Sequence, residues 1–414
     1  MQITLHRDFD SLASHLAEWN ELAAGVPFRR WDWLEAWWRH YGCDASGRPH
    51  NNYELFLLAV WDESQVLVGI APWYRFRSRS GARAIHFLGD GEVCSDYLSI
   101  LCKSENSEIV AAALADWLVD ANGSTSSQTS GSNIETSVMG KAEDRGWDRL
   151  AIFGVDAADD TVNRLVAQLQ ARGSIVSPCR PMNTWRLPLP ASWEELLKGQ
   201  SKQHRNRLRK ADRDYFQSGR IIARRVNTPE EFERFFEIMV DLHGRRWHHK
   251  GLPGAFASPR FRAFHREIAQ RWWAEDLATL TWFELDEKPL AVEYRLHGDG
   301  VMYAYQSGMD TSRLELRPGE MANMAAIRHA IEHEQQAYDF LRGDEEYKSR
   351  WRAQPRPMLM VRVIPPHPTA RLRHSVWLAG QTVKRWLKQS AKLAGWRTPK
   401  SPPRRQKQLA GDEQ

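Results

Sequence analysis

Cysteine is scarce in this 414-residue chain, and its four copies are widely separated. No two of them form a C-x-x-C pair, so their spacing supports neither a disulfide framework nor a zinc site. Histidine offers no better metal site, because His243 and His248 lie five positions apart with no acidic residue on the same predicted helix face. We therefore expect no bound metal. The four cysteines are Cys43, Cys94, Cys102 and Cys179.

Long apolar runs are also missing. The longest, at 109–119, is interrupted by Asp116 and falls short of the roughly 20 residues that a membrane-spanning helix needs. The first residues, MQITLHRDFDSLASHLAEW, carry acidic side chains where a signal peptide has an unbroken apolar core. These features predict a soluble, cytoplasmic protein.

An excess of one charge sign is absent from most of the chain. The formal net charge is +5, but 367–414 alone holds 11 Lys/Arg against 2 Asp/Glu and contributes +9. The other residues sum to −4, so the basic character belongs to the tail. Hydrophobic residues make up 42% and charged residues 26%, which fits globular domains and excludes wholesale disorder.

The length fits two or three domains. A proline-rich passage at 178–190 predicts a boundary, which divides the chain into domains at 1–185 and 186–366. A Gly/Ser/Thr-rich stretch at 122–141 shows no periodicity and predicts a flexible insertion in the first domain. The remaining 367–414 is expected to form a basic amphipathic helix and a disordered tail.

Both predicted domains contain the same succession of elements. Apolar runs flank Asp62-Glu63 in the first domain and Asp286-Glu287 in the second, and each predicts a β-hairpin. A further strand, a helix and another strand follow in each case; in the first domain one of these strands is expected at 97–101. This order indicates an internal duplication, although two unrelated α/β units with similar hairpins would give the same pattern.

A strongly basic helix is predicted at 192–215. Ser192 and Glu195 fit a capping box at its start, and the pattern predicts one continuous helix. Its cations either bind an anionic ligand, such as a nucleotide sugar or a polyanionic carrier, or form a solvated helix face. They are Lys198, Lys202, Arg205, Arg207, Arg209, Lys210 and Arg213.

The segment LELRPGEMANMAAIRHAI at 314–331 has the features of an anion site. Pro318 and Gly319 allow a tight turn at a helix start, where first-turn N–H groups lack intrahelical partners. The partial positive charge of a helix N-terminus favours phosphate there. Any strand-turn-helix junction with Pro-Gly gives the same pattern, so this segment alone leaves both interpretations open.

A second cluster, YDFLRGDEEYKSRW at 338–351, crowds ionisable residues at the carboxyl end of a predicted strand. Open α/β sheets place ligands at such ends. A short helix that begins with acids and ends with bases explains Asp344 and Lys348 equally well, but it does not account for Tyr347 and Trp351.

These two segments, together with FRRWDWLEAWWRHYG at 28–42 and DLHGRRWHHKG at 241–251, resemble the CelD-like acetyltransferases. That group is a bacterial branch of the GNAT N-acyltransferase superfamily and is often linked to cellulose and exopolysaccharide biosynthesis. The resemblance covers about 28–364. It implies an α/β fold with mixed sheets in two tandem GNAT-like domains, as in the peptidoglycan Fem transferases.

The resemblance implies acetyl-CoA as the acyl donor substrate, bound in the second domain. The first domain lacks the Pro-Gly turn and is expected to be degenerate, without a donor site. The predicted donor contacts are Leu316, Arg317, Gly319, Glu320, Met321 and, on a splayed strand at 303–308, Tyr305.

The resemblance also implies roles for residues around the reacting groups. Tyr347 would protonate the departing thiolate, since a phenol is still protonated at neutral pH. Glu293 is the candidate base, unless it is a solvent-facing strand residue, and Asp344 is a further catalytic candidate. The predicted substrate contacts are His243, Arg246, Trp247, Lys348 and Trp351.

The predicted function is N-acyl transfer, with acetyl passing to an amino group on a sugar or an envelope or exopolysaccharide precursor. One alternative is a non-catalytic GNAT-like scaffold in a polysaccharide-synthesis complex. Another is transfer from aminoacyl-tRNA, as in the Fem relatives; outside that alternative, nucleic acid is not an expected partner.

An apolar stripe runs along the tail at helical spacing, with Lys and Arg on the opposite side. This pattern is typical of a helix that lies on a membrane or docks on a partner protein, and we expect such a contact through 371–396. Attachment to an anionic inner membrane would make the protein peripheral. The alternative is that the helix folds back onto its own domain. The stripe consists of Leu372, Val376, Ala379, Val383, Trp386, Leu387 and Leu393.

Overall fold

The computed structural model describes residues 1–123 and 146–393. Nearly all of the predicted insertion at 122–141 lies outside the described residues, as does the end of the tail. The described residues form two compact units. The first unit contains 1–23, 28–181 and the residues from 359 onward, and the second contains 24–27 and 182–358.

The α-helices lie at α1 (Leu16–Leu22), α2 (Trp31–Trp37), α3 (Ser107–Gly123), α4 (Asp160–Ala171), α5 (Trp193–Gly199), α6 (Lys202–Ala211), α7 (Pro229–His248), α8 (Pro259–Ala274), α9 (Pro318–Glu332), α10 (Glu346–Arg350) and α11 (Pro368–Leu393). None of the described helices is both long enough and apolar enough to cross a bilayer.

The strands lie at β1 (Gln2–His6), β2 (Tyr53–Trp61), β3 (Leu67–Arg77), β4 (Arg83–Phe87), β5 (Leu101–Cys102), β6 (Arg149–Asp156), β7 (Ile175–Pro178), β8 (Asn183–Pro188), β9 (Ile221–Arg225), β10 (Ala278–Leu285), β11 (Lys288–Gly298), β12 (Val301–Met309), β13 (Ala337–Arg342) and β14 (Gln354–Ile364).

The sheet of the first unit has the order β1-β2-β3-β4-β6-β14, and the second half of β14 belongs to it. The predicted hairpin is present: β2 and β3 pair antiparallel, and the N–H of Asp62 donates to the carbonyl of Val66 over 3.0 Å. β4 and β6 pair parallel, because α3 crosses between them. The sheet is therefore mixed.

The second unit repeats this arrangement. Its sheet has the order β14-β8-β13-β12-β11-β10-β9, with the first half of β14 at one edge. β10, β11 and β12 pair antiparallel, whereas β12 and β13, which α9 connects, pair parallel. The predicted succession of hairpin, strand, helix and strand is thus present in both units.

Helices cover both faces of the second sheet. α7 packs so closely on β12 that a Cβ atom on Gly308 would lie 2.5 Å from the backbone N of His243. On the opposite face, α9 buries Met324 and Ile327 together with Met302 of β12 and Tyr338 of β13. Leu208 of α6 belongs to the same apolar cluster.

The continuous helix predicted at 192–215 is wrong, because the chain breaks at Gln200–Ser201. Gln200 is extended (φ −78°, ψ 156°), and the Ser201 hydroxyl accepts a hydrogen bond of 3.2 Å from the N–H of His204. Ser201 is therefore the N-cap of a second helix, α6. This break lets α6 lie against α9.

Candidate active site

The parallel strands β12 and β13 separate along their length. They pair from Val301–Ala337 to Tyr303–Asp339 and no further, although β12 runs on to Met309. β12 also carries a β-bulge, since the register with β11 shifts after Tyr294 and leaves Tyr305 without an opposite residue. The ladder between the two strands therefore ends at Tyr303, and the part of β12 beyond it lines a split between β12 and β13.

The first turn of α9 lies beyond the end of β12. The residue of this turn with left-handed backbone angles is Arg317 (φ 55°, ψ 55°). Gly319 has open space around it, since a Cβ atom at this position would contact only Met309 Sδ, at 3.7 Å. The N–H groups of Glu320 and Met321 both donate to the Arg317 carbonyl, and Pro318 has none. Among the described residues, only the N–H of Gly319 in this turn has no acceptor.

A basic groove lies beside this turn. It consists of two adjoining cavities of ≈ 170 and ≈ 450 Å³ that share Arg207 of α6 and Arg317. The smaller cavity has apolar side chains from α6 and α9 in its lining, and the larger cavity is mainly polar. The cations that line the two cavities are Arg207, Lys210, Arg317, Arg350 and Arg352.

The groove keeps a net positive charge. Arg207 Nε donates to Glu320 Oε1 over 2.5 Å, and Arg317 Nη1 lies 3.8 Å from Glu320 Oε2, so this carboxylate is neutralised. Arg350 pairs with Glu346. Lys210 and Arg352 have no acidic partner within the described part of the chain.

Glu293 lies buried on β11, with 5% of its surface exposed, so it is not a solvent-facing strand residue. Burial raises the pKa of its carboxyl group, and the nearby Arg295 partly opposes this. Glu293 Oε2 lies 3.6 Å from Arg295 Nε, and neither atom has a hydrogen-bond partner in the described residues.

The Tyr338 hydroxyl is likewise buried and has no hydrogen-bond partner in the described residues. Burial raises the pKa of Tyr338, the negative charge of Glu293 raises it further, and the positive charge of Arg295 lowers it. Tyr338 is therefore within electrostatic range of the predicted base, Glu293.

Four further predicted residues lie at the end of β13 or on α10. The half-buried Tyr347 packs on Phe340, with ring centroids 5.8 Å apart. Asp344 is exposed and accepts hydrogen bonds from Asn183 and Trp185 of β8. Trp351 is buried in the apolar cluster around α9.

Lys348, predicted to contact substrate, is 2% exposed. Its ammonium donates to the carbonyls of Leu341, Arg342 and Gly343 over 2.8–3.0 Å, and it pairs with Glu345. All three of its N–H groups are therefore used to hold the end of β13.

The other predicted substrate contacts lie on α7. His243 is buried, and its Nε2 accepts a hydrogen bond of 2.8 Å from Trp247 Nε1. Burial, with a smaller effect of Arg246, lowers the pKa of His243 to about 3, so its imidazole is neutral at pH 7. Arg246 Nη1 donates to the Ser307 hydroxyl of β12 over 2.7 Å.

Tyr305, predicted to contact the donor, is buried, and its hydroxyl lies 3.1 Å from His265 Nε2 of α8. The structure thus separates the predicted residues into groups. His243, Arg246, Trp247 and Tyr305 lie on the α7 and α8 side of the sheet. Leu316 to Met321 lie at the start of α9, and Tyr347 lies beside Phe340 at the end of β13.

The first unit has a corresponding split between β4 and β6, which pair only from Ala84–Arg149 to His86–Ala151. Its own chain occupies the space: all residues of 95–101 are buried, and the N–H of Leu98 donates to the carbonyl of Gly154 over 2.8 Å. The strand predicted at 97–101 is wrong for 97–100, which is a buried loop in which Tyr97 has φ 60°, and only Leu101 lies in a strand, β5.

The sequence prediction assigns no role to Arg295, Tyr338 or Arg352, although Tyr338 begins the cluster at 338–351. Glu293 and Arg295 form a polar pair two residues apart within an apolar strand, and this pattern is a signal that could have identified Arg295. The basic helix was noted from sequence as an anion-binding candidate, but its position beside α9 was not.

Comparison with known proteins places this geometry in a family context. Residues 202–349, just over a third of the chain, match the family model of an acetyltransferase (GNAT) domain. This segment contains the split, the basic groove up to Ser349, and α9. No curated protein matches the chain.

Solved structures resemble most of the chain. The crystal structure of FemX has 12% identity, covers 90% of this chain and 99% of its own, and gives a TM-score of 0.58. A conserved protein of unknown function from Bacteroides thetaiotaomicron has 11% identity and a TM-score of 0.51; the match covers 88% of this chain and 100% of that protein. A tandem GNAT protein from the clavulanic acid biosynthesis pathway has 11% identity and a TM-score of 0.41; the match covers 89% of this chain and 99% of that protein.

Residues 202–349 therefore match a GNAT acetyltransferase domain, and the chain has a mixed α/β fold like that of FemX. This confirms the predicted fold class. The predicted GNAT resemblance is confirmed for 202–349.

Proposed function

We propose that the protein is an acyl-CoA-dependent N-acyltransferase whose donor binds in the second unit. The observation that carries the proposal is the split between β12 and β13, which lies next to a basic groove at the start of α9 within the matched GNAT segment. The corresponding split in the first unit is filled by its own chain, which supports a single donor site.

The donor diphosphate would lie in the basic groove. Arg207 and Arg317 would pair with its oxygens, and the free N–H of Gly319 would donate one hydrogen bond at the positive end of α9. Because Glu320 is already paired with Arg207, its carboxylate repels the diphosphate less than a free one would. The thioester would then enter the split along β12.

The reaction joins the acceptor nitrogen to the thioester carbonyl carbon and breaks the carbon–sulfur bond. The acceptor amine must lose a proton, and a buried carboxylate with a raised pKa, such as Glu293, is suited to take it. Backbone N–H groups of β12 beyond Tyr303, where its pairing with β13 ends, would stabilise the carbonyl oxygen as it becomes anionic. Tyr347 would return a proton to the departing thiolate.

The acceptor would approach from α7, where Arg246 contacts Ser307 at the split end of β12. We propose acetyl as the acyl group and an amino group on a sugar or envelope precursor as the acceptor. The buried His243 is neutral at pH 7 and so adds no positive charge beside Arg246.

Calorimetry with acetyl-CoA tests the donor site. We expect micromolar binding that is lost in Gly319→Trp, because the indole would enter the space beside Met309. Gly199→Trp is the matched control, since Gly199 lies outside the groove with nothing near its Cβ position, and it should bind normally. Absence of heat at millimolar acetyl-CoA would refute the proposal; salt-sensitive binding of charged tRNA in its place would favour the aminoacyl alternative.

A screen of metabolite extracts for mass gained by acylation would identify the acceptor. With that acceptor, Tyr347→Phe should lower kcat far more than it weakens acetyl-CoA binding, because the phenol acts on the leaving thiolate. Unchanged kcat would remove Tyr347 from this role.

A further inference from the structure

Helix α11 packs on the first unit through one side. Ala370 is 1% exposed, and Arg371 Nη2 donates to the Gly173 carbonyl over 2.9 Å. Arg373 pairs with Asp148 over 2.8 Å, and the Trp377 ring centroid lies 4.6 Å from the Arg362 guanidinium carbon. These contacts fix the orientation of the first turns of the helix.

The apolar stripe lies on the other side of these turns. Leu372 and Val376 are 67% and 65% exposed, and Ala379 is also exposed. The first turns of the helix thus fold back onto the first unit, as in the alternative interpretation, but the stripe stays exposed in the described side chains because the helix docks through a different side. Two large aliphatic side chains one turn apart are left in water, where each loses the favourable free energy of burial.

The sequence continues the same spacing of four and three residues at Val383 and Trp386, and the helical backbone runs to Leu393. This spacing predicts that the apolar face continues beyond Ala379. A face of this length that stays apolar over successive turns is typical of a helix with a partner surface.

We propose that this face of α11 binds the surface of a membrane rich in anionic phospholipids. Charge selects this occupant, because 367–414 carries 11 Lys/Arg against 2 Asp/Glu. Each cation held near an anionic bilayer adds to the attraction, whereas two such helices from two copies of the chain would repel each other. Leu372, Val376 and Ala379 would insert below the headgroups.

The experiment is co-flotation of the full-length protein with phosphatidylcholine vesicles, with and without phosphatidylglycerol. The test variant is Leu372→Glu with Val376→Glu, which changes two exposed side chains and so should leave the fold unchanged. The control is Ile109→Glu with Val66→Glu, because these first-unit side chains are also exposed and the charge change is identical. Thermal melting confirms that both variants fold.

We expect the wild type and the control to float with phosphatidylglycerol vesicles, less strongly at high salt, and the test variant to bind at least about tenfold more weakly. Absence of flotation at low salt would overturn the proposal. Equal binding of the test variant and the control would also overturn it, because the cations alone would then account for attachment. A dimer in sedimentation experiments that the test variant abolishes, without vesicle binding, would assign the face to a second copy.

Discussion

Arg207 Nε donates a hydrogen bond of 2.5 Å to Glu320 Oε1, and this contact joins the basic helix α6 to the first turn of α9. Asp212 and Arg328 form a second ion pair between the end of α6 and α9, at 2.9 Å. These two contacts place the cations of α6 beside the start of α9. The basic groove therefore depends on two helices whose contacting residues are far apart in sequence.

Replacing Arg207 with alanine should weaken acetyl-CoA binding by about 10- to 100-fold, because a hydrogen bond to a charged group contributes about 1.5–3 kcal/mol. Calorimetry measures the change. Arg209→Ala is the control, since Arg209 lies on the same helix but pairs with the exposed Glu194 outside the groove. Equal affinities of the two variants would show that the groove does not hold the donor.

Arg317 should tolerate glycine better than alanine. Its left-handed conformation (φ 55°) costs an L residue about 1–2 kcal/mol, and glycine adopts it freely. We expect Arg317→Gly to be the more stable variant in urea denaturation, while both variants lose acetyl-CoA affinity equally. A lower stability of the glycine variant would contradict the role given to this backbone turn.

Lys348→Met should destabilise the fold by about 3–5 kcal/mol, because it removes the buried charge that satisfies three carbonyls at the end of β13. Urea denaturation measures the loss. Lys210→Met is the contrasting variant: Lys210 lines the groove, so its loss should weaken donor binding and leave stability nearly unchanged. A stable Lys348→Met protein with weakened acceptor binding would instead support a substrate contact.

The stability of the protein should fall in acid partly through His243. Its pKa is lowered from 6.5 to about 3 in the fold, so the unfolded chain takes up a proton that the folded chain does not. The contribution of His243 to the free energy of unfolding is fully present above pH 6.5 and is lost as the pH falls toward 3. The free energy of unfolding should decrease by on the order of 2 kcal/mol between pH 6.5 and 5 through this residue.

His243→Gln removes this titration, so its unfolding free energy should fall less than that of the wild type over the same pH range. His249→Gln, which changes an exposed residue on the same helix end, should retain the wild-type slope. If His243→Gln also retains the wild-type slope, His243 does not become charged on unfolding in this range.

Local sequence was enough to predict the hairpins at Asp62 and Asp286 and the helix start at Pro318. In each case the deciding interactions join residues a few positions apart, such as the N–H of Asp62 that donates to the carbonyl of Val66. The Ser201 cap is equally local, but the capping box at Ser192 obscured it, so one helix was predicted in place of two.

The remaining features depend on contacts between distant parts of the chain. The Arg207–Glu320 pair spans 113 positions, and the burial of 95–101 in the split of the first unit requires the carbonyl of Gly154. No local pattern shows that Lys348 turns inward or that α11 docks through the side opposite its apolar stripe. Sequence thus determined the residue types available for chemistry. It also determined the turns and the helix starts, because short-range hydrogen bonds set these features. The packing of distant helices and strands determined which of those residues share a groove, because burial and charge pairing act only after the chain has folded.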